Sequence, residues 1–198
     1  MRFGNFYRMI EKLESIDHSL VLAINAMHST FLDSFMWFLS GPYILLLLIP
    51  FVFYFLFQAY SSKQLIWIFV AIVLTIVLTD QLSVHAFKEV FQRYRPSHNL
   101  LLKSQLHLHE YPDGSFYGGG KFGFVSSHAA NYFGILTIMF ALIGQKWVKI
   151  ILLVLALLVI YSRVYFGVHY LSDVLCGAFL CLSLINNSEP TRRTDISY

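Results

Sequence analysis

The sequence predicts an all-α protein, a polytopic membrane helix bundle with five or six transmembrane helices. Composition is the first reason, because 57% of the 198 residues are hydrophobic and 13% are charged, whereas soluble domains carry about 25% charged residues. The second reason is that apolar runs long enough to cross the hydrocarbon core, which takes roughly 20 residues, recur along the chain. Lipid is therefore the expected solvent for most of the surface.

Five apolar runs account for the predicted spans, and they lie at about 42–59, 64–87, 124–143, 147–161 and 169–185. The preceding stretch is also apolar, but Asn25, His28 and Asp33 interrupt it. We interpret this stretch as an interfacial amphipathic helix that leads into the first span, with a sixth span as the alternative.

The chain accordingly divides into an interfacial N-terminal region (1–40), a transmembrane core (41–186) and a solvated tail (187–198). Within the core, 88–122 is a long polar loop, and long loops are commonly functional. Cations are scattered among short connections and form no basic face, which argues against a nucleic-acid partner. Cys176 and Cys181 have neither a disulfide framework nor the spacing of zinc ligands.

Polar residues collect on one side of the predicted bundle. Helices that cross in alternating directions bring together the end of the second span, the start of the third, the end of the fourth and the start of the fifth. Charge at membrane depth costs about 2.5 to 3.5 kcal/mol per residue, so we interpret the polar residues at these four places as functional. They are Lys88 and Arg95; Ser126, Ser127 and His128; Ser162 and Arg163; and His169 and Asp173.

The cations among them predict an anion site. Lys88, Arg95 and Arg163 converge with the backbone N–H groups of a helix that begins near Ser126, and a phosphate group suits this set of donors best. The same positive field makes a metal or other cofactor unnecessary, so none is expected.

Two histidines supply the chemistry that phosphoryl transfer needs. His169 is the predicted nucleophile, because Asp173 follows it by one helical turn and can orient its ring. His128 is the predicted general acid, which gives a proton to the leaving group.

Three segments resemble the motifs of a known family. They read KEVFQRYRP at 88–96, VSSH at 125–128 and SRVYFGVHYLSD at 162–173. These are similar to K-x6-R-P, P-S-G-H and S-R-x5-H-x3-D of the type-2 phosphatidate phosphatase superfamily, the lipid phosphatases related to vanadium haloperoxidases. The first and third motifs agree at every defined position, whereas Val125 replaces the proline and Ser127 the glycine of the second.

The resemblance implies a membrane core of six helices in a bacterial membrane-bound enzyme. It implies metal-free hydrolysis of a lipid phosphomonoester or diphosphate through a phosphohistidine at His169, with His128 protonating the leaving group. The phosphate ligands that it implies are Lys88, Arg95, Ser126, Arg163 and the backbone N–H of Ser127. Isoprenyl diphosphate, phosphatidylglycerol phosphate, phosphatidate and lipid A all remain open as substrates, and the oligomeric state is open as well.

Two alternatives use the same residues. A phosphohistidine can be resolved by an alcohol, which would make the chain a lipid phosphotransferase. A membrane protein could also bind the anion without turnover, although the pairing of His169 with Asp173 argues against it.

Further residues outside these motifs have simpler interpretations. His107 and His109 are predicted to be solvated loop residues rather than metal ligands, and the glycine run at 118–120 is predicted to be a hinge or lid. Asp80 is predicted to hydrogen-bond a neighbouring helix. Four aromatic residues are candidates for lining the entry of an acyl or isoprenyl chain: Phe116, Tyr117, Phe122 and Phe124.

The distribution of cations favours a site that faces outward, which in a bacterium means from the cytoplasmic membrane towards the periplasm or the cell exterior. Arg2, Arg8 and Lys12 oppose this orientation if the N-terminus lies outside with only five spans. Once the proposed phosphate ligands are set aside, Arg93, Lys103 and Lys121 remain on the side of the site. Five cations lie on the opposite side: Lys63, Lys146, Lys149, Arg192 and Arg193.

Overall fold

The computed structural model describes residues 2–186 of the chain, and these residues contain eight α-helices. The predicted tail, 187–198, lies outside the described residues. The helices are α1 (Arg2–Asn25), α2 (Thr30–Ser40), α3 (Tyr43–Ala59), α4 (Ser62–Gln81), α5 (Glu89–Phe91), α6 (Ser127–Leu142), α7 (Lys146–Tyr165) and α8 (Leu171–Asn186). The all-helical prediction is confirmed for these residues.

Local sequence signals explain where several helices begin. The Ser29 hydroxyl accepts a hydrogen bond from the Leu32 N–H at the start of α2, and Ser61 forms a capping box with Gln64 at the start of α4. Both are standard ways of satisfying the free N–H groups of a first turn. A π-helical segment, Leu82–Lys88, joins α4 to α5, so this rod is longer than the predicted run.

The N-terminal region consists of two helices rather than one. α1 and α2 are separated by a turn at 26–29, and α1 is packed against the bundle through Val21, which is fully buried. Asp17 on the same helix is also buried. Their placement at a membrane interface stays a prediction.

The core lies between the helices that follow. Side chains of α3, α4, α6 and α7 form one buried cluster that includes Leu56, Leu65, Met139 and Leu152. α6 and α8 approach closely, because a Cβ at Gly177 would lie 2.5 Å from the Ser126 carbonyl oxygen. Small residues at helix contacts are typical of membrane bundles.

Large apolar side chains cover the outside of the bundle. Leu46 is 71% exposed and Trp67 is 73% exposed, which suits contact with lipid rather than water. Among the described residues, Ser62–Phe91 and Lys146–Tyr165 are helical, long and apolar enough to cross a membrane. Three more apolar helical stretches are shorter, so the number of five or six spans stays a prediction: Leu46–Ala59, Ser127–Leu142 and Leu171–Leu180.

Candidate active site

The nucleophile predicted from the sequence lies in the turn between α7 and α8. His169 is 1% exposed, and its backbone N–H donates to the Arg163 carbonyl oxygen at 3.2 Å. Gly167 adopts a φ of +62° in the same turn, a conformation that glycine accommodates without strain. The turn therefore holds His169 next to the end of α7 that carries Arg163.

Asp173 joins the second and third motifs. It is fully buried, and its carbonyl oxygen accepts a hydrogen bond from the Ser126 N–H at 3.0 Å. Its Oδ2 accepts from the Tyr170 N–H at 3.0 Å and lies 3.5 Å from Nδ1 of His169. That separation exceeds a normal hydrogen bond, and such catalytic contacts often tighten when substrate binds.

Arg95 lies beside this pair because two glycines leave room for it. Its Nη1 donates to the Val168 carbonyl oxygen at 3.3 Å. A Cβ at Gly119 would lie 2.5 Å from that nitrogen, and one at Gly123 would lie 3.0 Å from Cγ of Arg95 and 2.9 Å from Oδ2 of Asp173. The glycine run, predicted as a hinge or lid, accordingly has a packing role around a guanidinium group.

Arg163 is 2% exposed and is held by two hydroxyl groups. Its Nη1 donates to Ser40 and its Nη2 to Tyr117. Its Nε and the Nδ1 of His169 are buried without a hydrogen-bond partner in the described part of the chain. Unsatisfied buried polar atoms are rare, and a bound group commonly explains them.

The start of α6 completes the pocket. The Ser126 hydroxyl accepts from the Ala129 N–H at 3.4 Å, and Ser127 Oγ accepts from Nζ of Lys88 at 2.7 Å. The side chain that replaces the family glycine is thus turned towards Lys88. His128 is exposed, and the charges of Lys88, Arg95 and Arg163 act on it.

The predicted catalytic and phosphate-binding residues therefore lie around one pocket. The described side-chain hydrogen bond of Ser162 goes instead to the Val159 carbonyl oxygen within α7. The electrostatics of the pocket favour an anion. Burial, and then the positive charge of Arg163, lowers the pKa of Arg95 to about 10, so the guanidinium group of Arg95 remains charged at neutral pH. Burial, followed by Arg95, Arg163 and Lys88, lowers the pKa of His169 well below its ordinary value. The imidazole is then neutral, which is the form that can attack phosphorus.

Sequence reasoning missed four residues of this neighbourhood: Asp17, Ser40, Arg93 and Tyr117. Arg93 lies inside the first motif segment, but no defined motif position pointed to it. Tyr117 was considered only as a chain-entry residue. Nothing in the local pattern of α1 or α2 indicated that Asp17 or Ser40 would reach the pocket, because those contacts span more than 75 residues.

The predicted chain-entry aromatics are dispersed. Phe124 packs edge-on against Phe91, with ring centroids 5.1 Å apart, and Phe122 packs against Tyr94 at 5.6 Å. Phe116 lines a separate cavity of about 350 Å³ that also contains His107. Tyr117 makes a side-chain hydrogen bond to Arg163, and the backbone carbonyl oxygen of Phe122 accepts one from Nε of Arg95 at 3.1 Å.

A second polar cluster lies apart from the phosphate pocket. His28, Asp33 and His107 place one ligand atom each within 4.8 Å of one another. Metal bonds to these atoms are about 2 Å long, so ligand atoms of one ion lie within about 4 Å of each other. Instead, Nε2 of His107 lies 3.3 Å from Asp33 in a hydrogen bond, and its ring stacks on His28 at 4.0 Å.

Comparisons with known proteins agree with the motifs. A model of the PAP2 superfamily matches residues 64–188. The lipid A 4'-phosphatase of Porphyromonas gingivalis is 30% identical over 175 residues, which is 85% of this chain and 69% of that protein. The protein of the same name from Bacteroides thetaiotaomicron is 35% identical over 172 residues, 87% of this chain and 75% of that protein.

Two solved structures share the fold. The PAP2-type phosphatidylglycerolphosphate phosphatase of Bacillus subtilis has a TM-score of 0.61 at 25% identity and covers 91% of this chain and 90% of its own. LpxE of Aquifex aeolicus has a TM-score of 0.55 at 25% identity, and the alignment covers 85% of this chain and 93% of LpxE.

Proposed function

Because the chain belongs to the PAP2 superfamily, whose motifs its sequence resembles, we propose that it hydrolyses a lipid phosphomonoester through a phosphohistidine. It is an enzyme of the lipid phosphatase type, a hydrolase of phosphate esters in a bacterial membrane. The intermediate, the substrate and the roles of individual residues are the proposal.

The observation that supports it most is that two buried arginines, Arg95 and Arg163, lie near His169, and that Nε of Arg163 has no hydrogen-bond partner in the described part of the chain. Arg95 and Arg163 are both buried; the charge of Arg163 acts on Arg95, and both charges act on His169. Two buried cations that repel each other are unfavourable unless an anion offsets their charge. A phosphate group would satisfy the unpartnered Nε of Arg163 as well as the N–H groups at the start of α6.

In the proposed reaction, the neutral ring of His169 attacks phosphorus. A nitrogen–phosphorus bond forms while the ester bond breaks, and His128 protonates the departing oxygen. Lys88, Arg95 and Arg163 stabilise the charge that builds on the equatorial oxygens, where such donors lower the barrier most. Water then attacks the phosphohistidine, giving its proton to His128, and inorganic phosphate leaves.

Among the open substrates, a lipid A type phosphomonoester is favoured. Two relatives named lipid A 4'-phosphatase match 85% and 87% of this chain. The phosphatidylglycerophosphatase B of Bacillus subtilis is 36% identical over 54% of this chain and 49% of its own length, so its substrate is the second candidate.

An apolar cavity supports a lipid substrate. It measures about 290 Å³ and lies between α3, α4, α6 and α7, where Ile72, Tyr132 and Met139 are among its lining residues. Tyr132 is one helical turn after His128 on α6. An acyl chain in this cavity would therefore start near the leaving group.

The topology proposed for the membrane has five spans, α3, α4 with its extension, α6, α7 and α8, with α1 and α2 at the interface and the site facing outward. Two single cysteines in a background lacking Cys176 and Cys181 test the orientation. An impermeant maleimide added to intact cells should label Ser115→Cys, which lies in the site loop. It should leave Gln145→Cys, at the opposite end of α7, unlabelled; the reverse pattern would overturn the orientation.

The activity is tested with purified protein in detergent. Lipid A, phosphatidylglycerol phosphate, phosphatidate and isoprenyl diphosphate are each supplied to the wild type and to His169→Ala. Release of phosphate from lipid A, undiminished by EDTA and absent from the variant, is the expected result. Phosphate release that survives in His169→Ala would refute the proposal, and transfer to an added lipid alcohol instead of water would identify a phosphotransferase.

A further inference from the structure

One arginine near the pocket is paired quite differently from the others. Arg93 bridges two carboxylates, since its Nη1 lies 2.8 Å from Oδ1 of Asp173 and its Nη2 lies 2.8 Å from Oδ2 of Asp17. Its guanidinium carbon also lies 4.2 Å above the ring of Tyr170. Its charge is thus offset by two anions, whereas the described hydrogen bonds of Arg95 go to neutral carbonyl groups.

Asp17 is held in place for this contact. Its side chain is 8% exposed, Oδ1 accepts from the Ser172 N–H at 3.1 Å, and Oδ2 accepts from the Ser172 hydroxyl. Both partners are therefore fixed at the start of α8. Asp17 lies on α1, outside the region 64–188 that matches the family model.

The consequence falls on Asp173. A fully buried carboxylate is stable only with an opposite charge and hydrogen bonds, and Arg93 supplies both through Oδ1. The other oxygen, Oδ2, is left facing Nδ1 of His169. Residues that hydrogen-bond a catalytic group's own partner often orient that group, and mutating them commonly lowers activity.

We propose that Asp17 and Arg93 are positioning residues: they fix Asp173, and through it the ring of His169, while keeping the Arg93 charge off the phosphate. This inference rests on the proposed function. It assigns to α1, a helix outside the family match, a part in aligning the nucleophile.

Asp17→Asn is the first test, because it removes the charge and keeps an oxygen for the Ser172 N–H. We expect kcat to fall roughly tenfold, with KM and the inhibition constant for inorganic phosphate unchanged. Glu11→Gln is the matched control, since Glu11 is exposed on the same helix and loses the same charge. It should retain the wild-type kcat.

Arg93→Ala provides the second test and guards against simple unfolding. This variant should lose more kcat than Asp17→Asn, and added guanidinium ion should restore part of it, because the ion can occupy the space between the two carboxylates. A melting curve of each variant in detergent establishes that it is folded.

The outcomes distinguish the positioning role of Asp17 and Arg93 from the proposed phosphatase function. Unchanged kcat in Asp17→Asn, or a folded Arg93→Ala that guanidinium does not rescue, would overturn the positioning role. So would a raised KM with unchanged kcat, since Arg93 would then bind phosphate itself. Activity retained in His169→Ala would instead refute the proposed function.

Discussion

The chemistry of the site depends on which buried charges already have a partner. Burial opposes the charge of Arg93, but Asp173 and Asp17 raise its pKa above the ordinary value. In contrast, burial and a like-charged neighbour lower the pKa of Arg95. The pocket is therefore built to gain most from an anion at Arg95 and Arg163, and least from one at Arg93.

Arg163 is the residue whose forked shape matters most. Arg163→Lys keeps the charge but loses the three separate nitrogens that reach Ser40, Tyr117 and the pocket, so kcat/KM should fall roughly 100-fold, as when one donor to a transition-state oxygen is removed. The measurement is phosphate release from lipid A. Lys146→Ala, at the opposite end of the same helix, serves as the control and should match the wild type.

The Ser127→Gly variant tests whether the backbone N–H or the hydroxyl of Ser127 contributes to activity. The proposed phosphate ligand is its N–H, which a glycine retains, and the hydroxyl contacts only Lys88 among the described residues. Ser127→Gly should therefore lower kcat/KM by about tenfold, the lower end of the range for losing a hydrogen bond to a charged group, because Lys88 and the N–H both remain. A loss as large as that of Arg163→Lys would contradict this role.

At the scale of elements, the loop before α6 holds the motifs against each other. The Gly123 N–H donates to the Arg93 carbonyl oxygen at 2.9 Å, and its Cα faces Arg95 and Asp173. The first motif is thus tied to the third through a residue that carries no chemistry of its own.

Gly123→Ala should disrupt this arrangement. The added methyl group would lie 2.9 Å from Oδ2 of Asp173, so either the carboxylate or the loop must move and kcat should fall by at least about tenfold. Gly144→Ala is the matched control, because nothing lies within 4 Å of a Cβ there. Equal kinetics for the two variants would show that the close packing at Gly123 is unimportant.

The cavity between α3, α4, α6 and α7 can be tested by filling it. Ile72→Trp should raise KM for a long-chain lipid phosphate while leaving that for a short-chain, water-soluble phosphate ester unchanged. Leu74→Trp, on the exposed side of α4, should affect neither. If Ile72→Trp affects both substrates alike, the cavity does not hold the chain.

For the whole molecule, the sequence was informative wherever a pattern is local. Apolar runs predict the five helices α3, α4, α6, α7 and α8, and alternating helix direction is enough to bring Lys88, His128, Arg163 and His169 to one side. The Asp17 contact and the division of 2–40 into two helices could not be predicted, because they arise from packing between distant segments. The role of Gly119 was missed for the same reason, since a glycine run alone does not reveal what approaches it.

Asp80 shows the same limit in a membrane helix. A hydrogen bond to a neighbouring helix was predicted, but within residues 2–186 no hydrogen bond to its carboxylate is described. Its charge acts instead on Lys88, about two turns further along the helix. A polar residue in an apolar run indicates that it has a partner, but the sequence pattern does not identify that partner.

The central claim is that a neutral imidazole in a cationic pocket becomes covalently phosphorylated. Rapid acid-free quenching of the wild type with a lipid substrate labelled in the phosphate tests this directly. The account predicts an acid-labile, alkali-stable label approaching about one phosphate per chain, located on the peptide containing His169 and absent from His169→Ala. Label on another residue, or turnover without any labelled chain in a quench fast enough to catch it, would contradict the account.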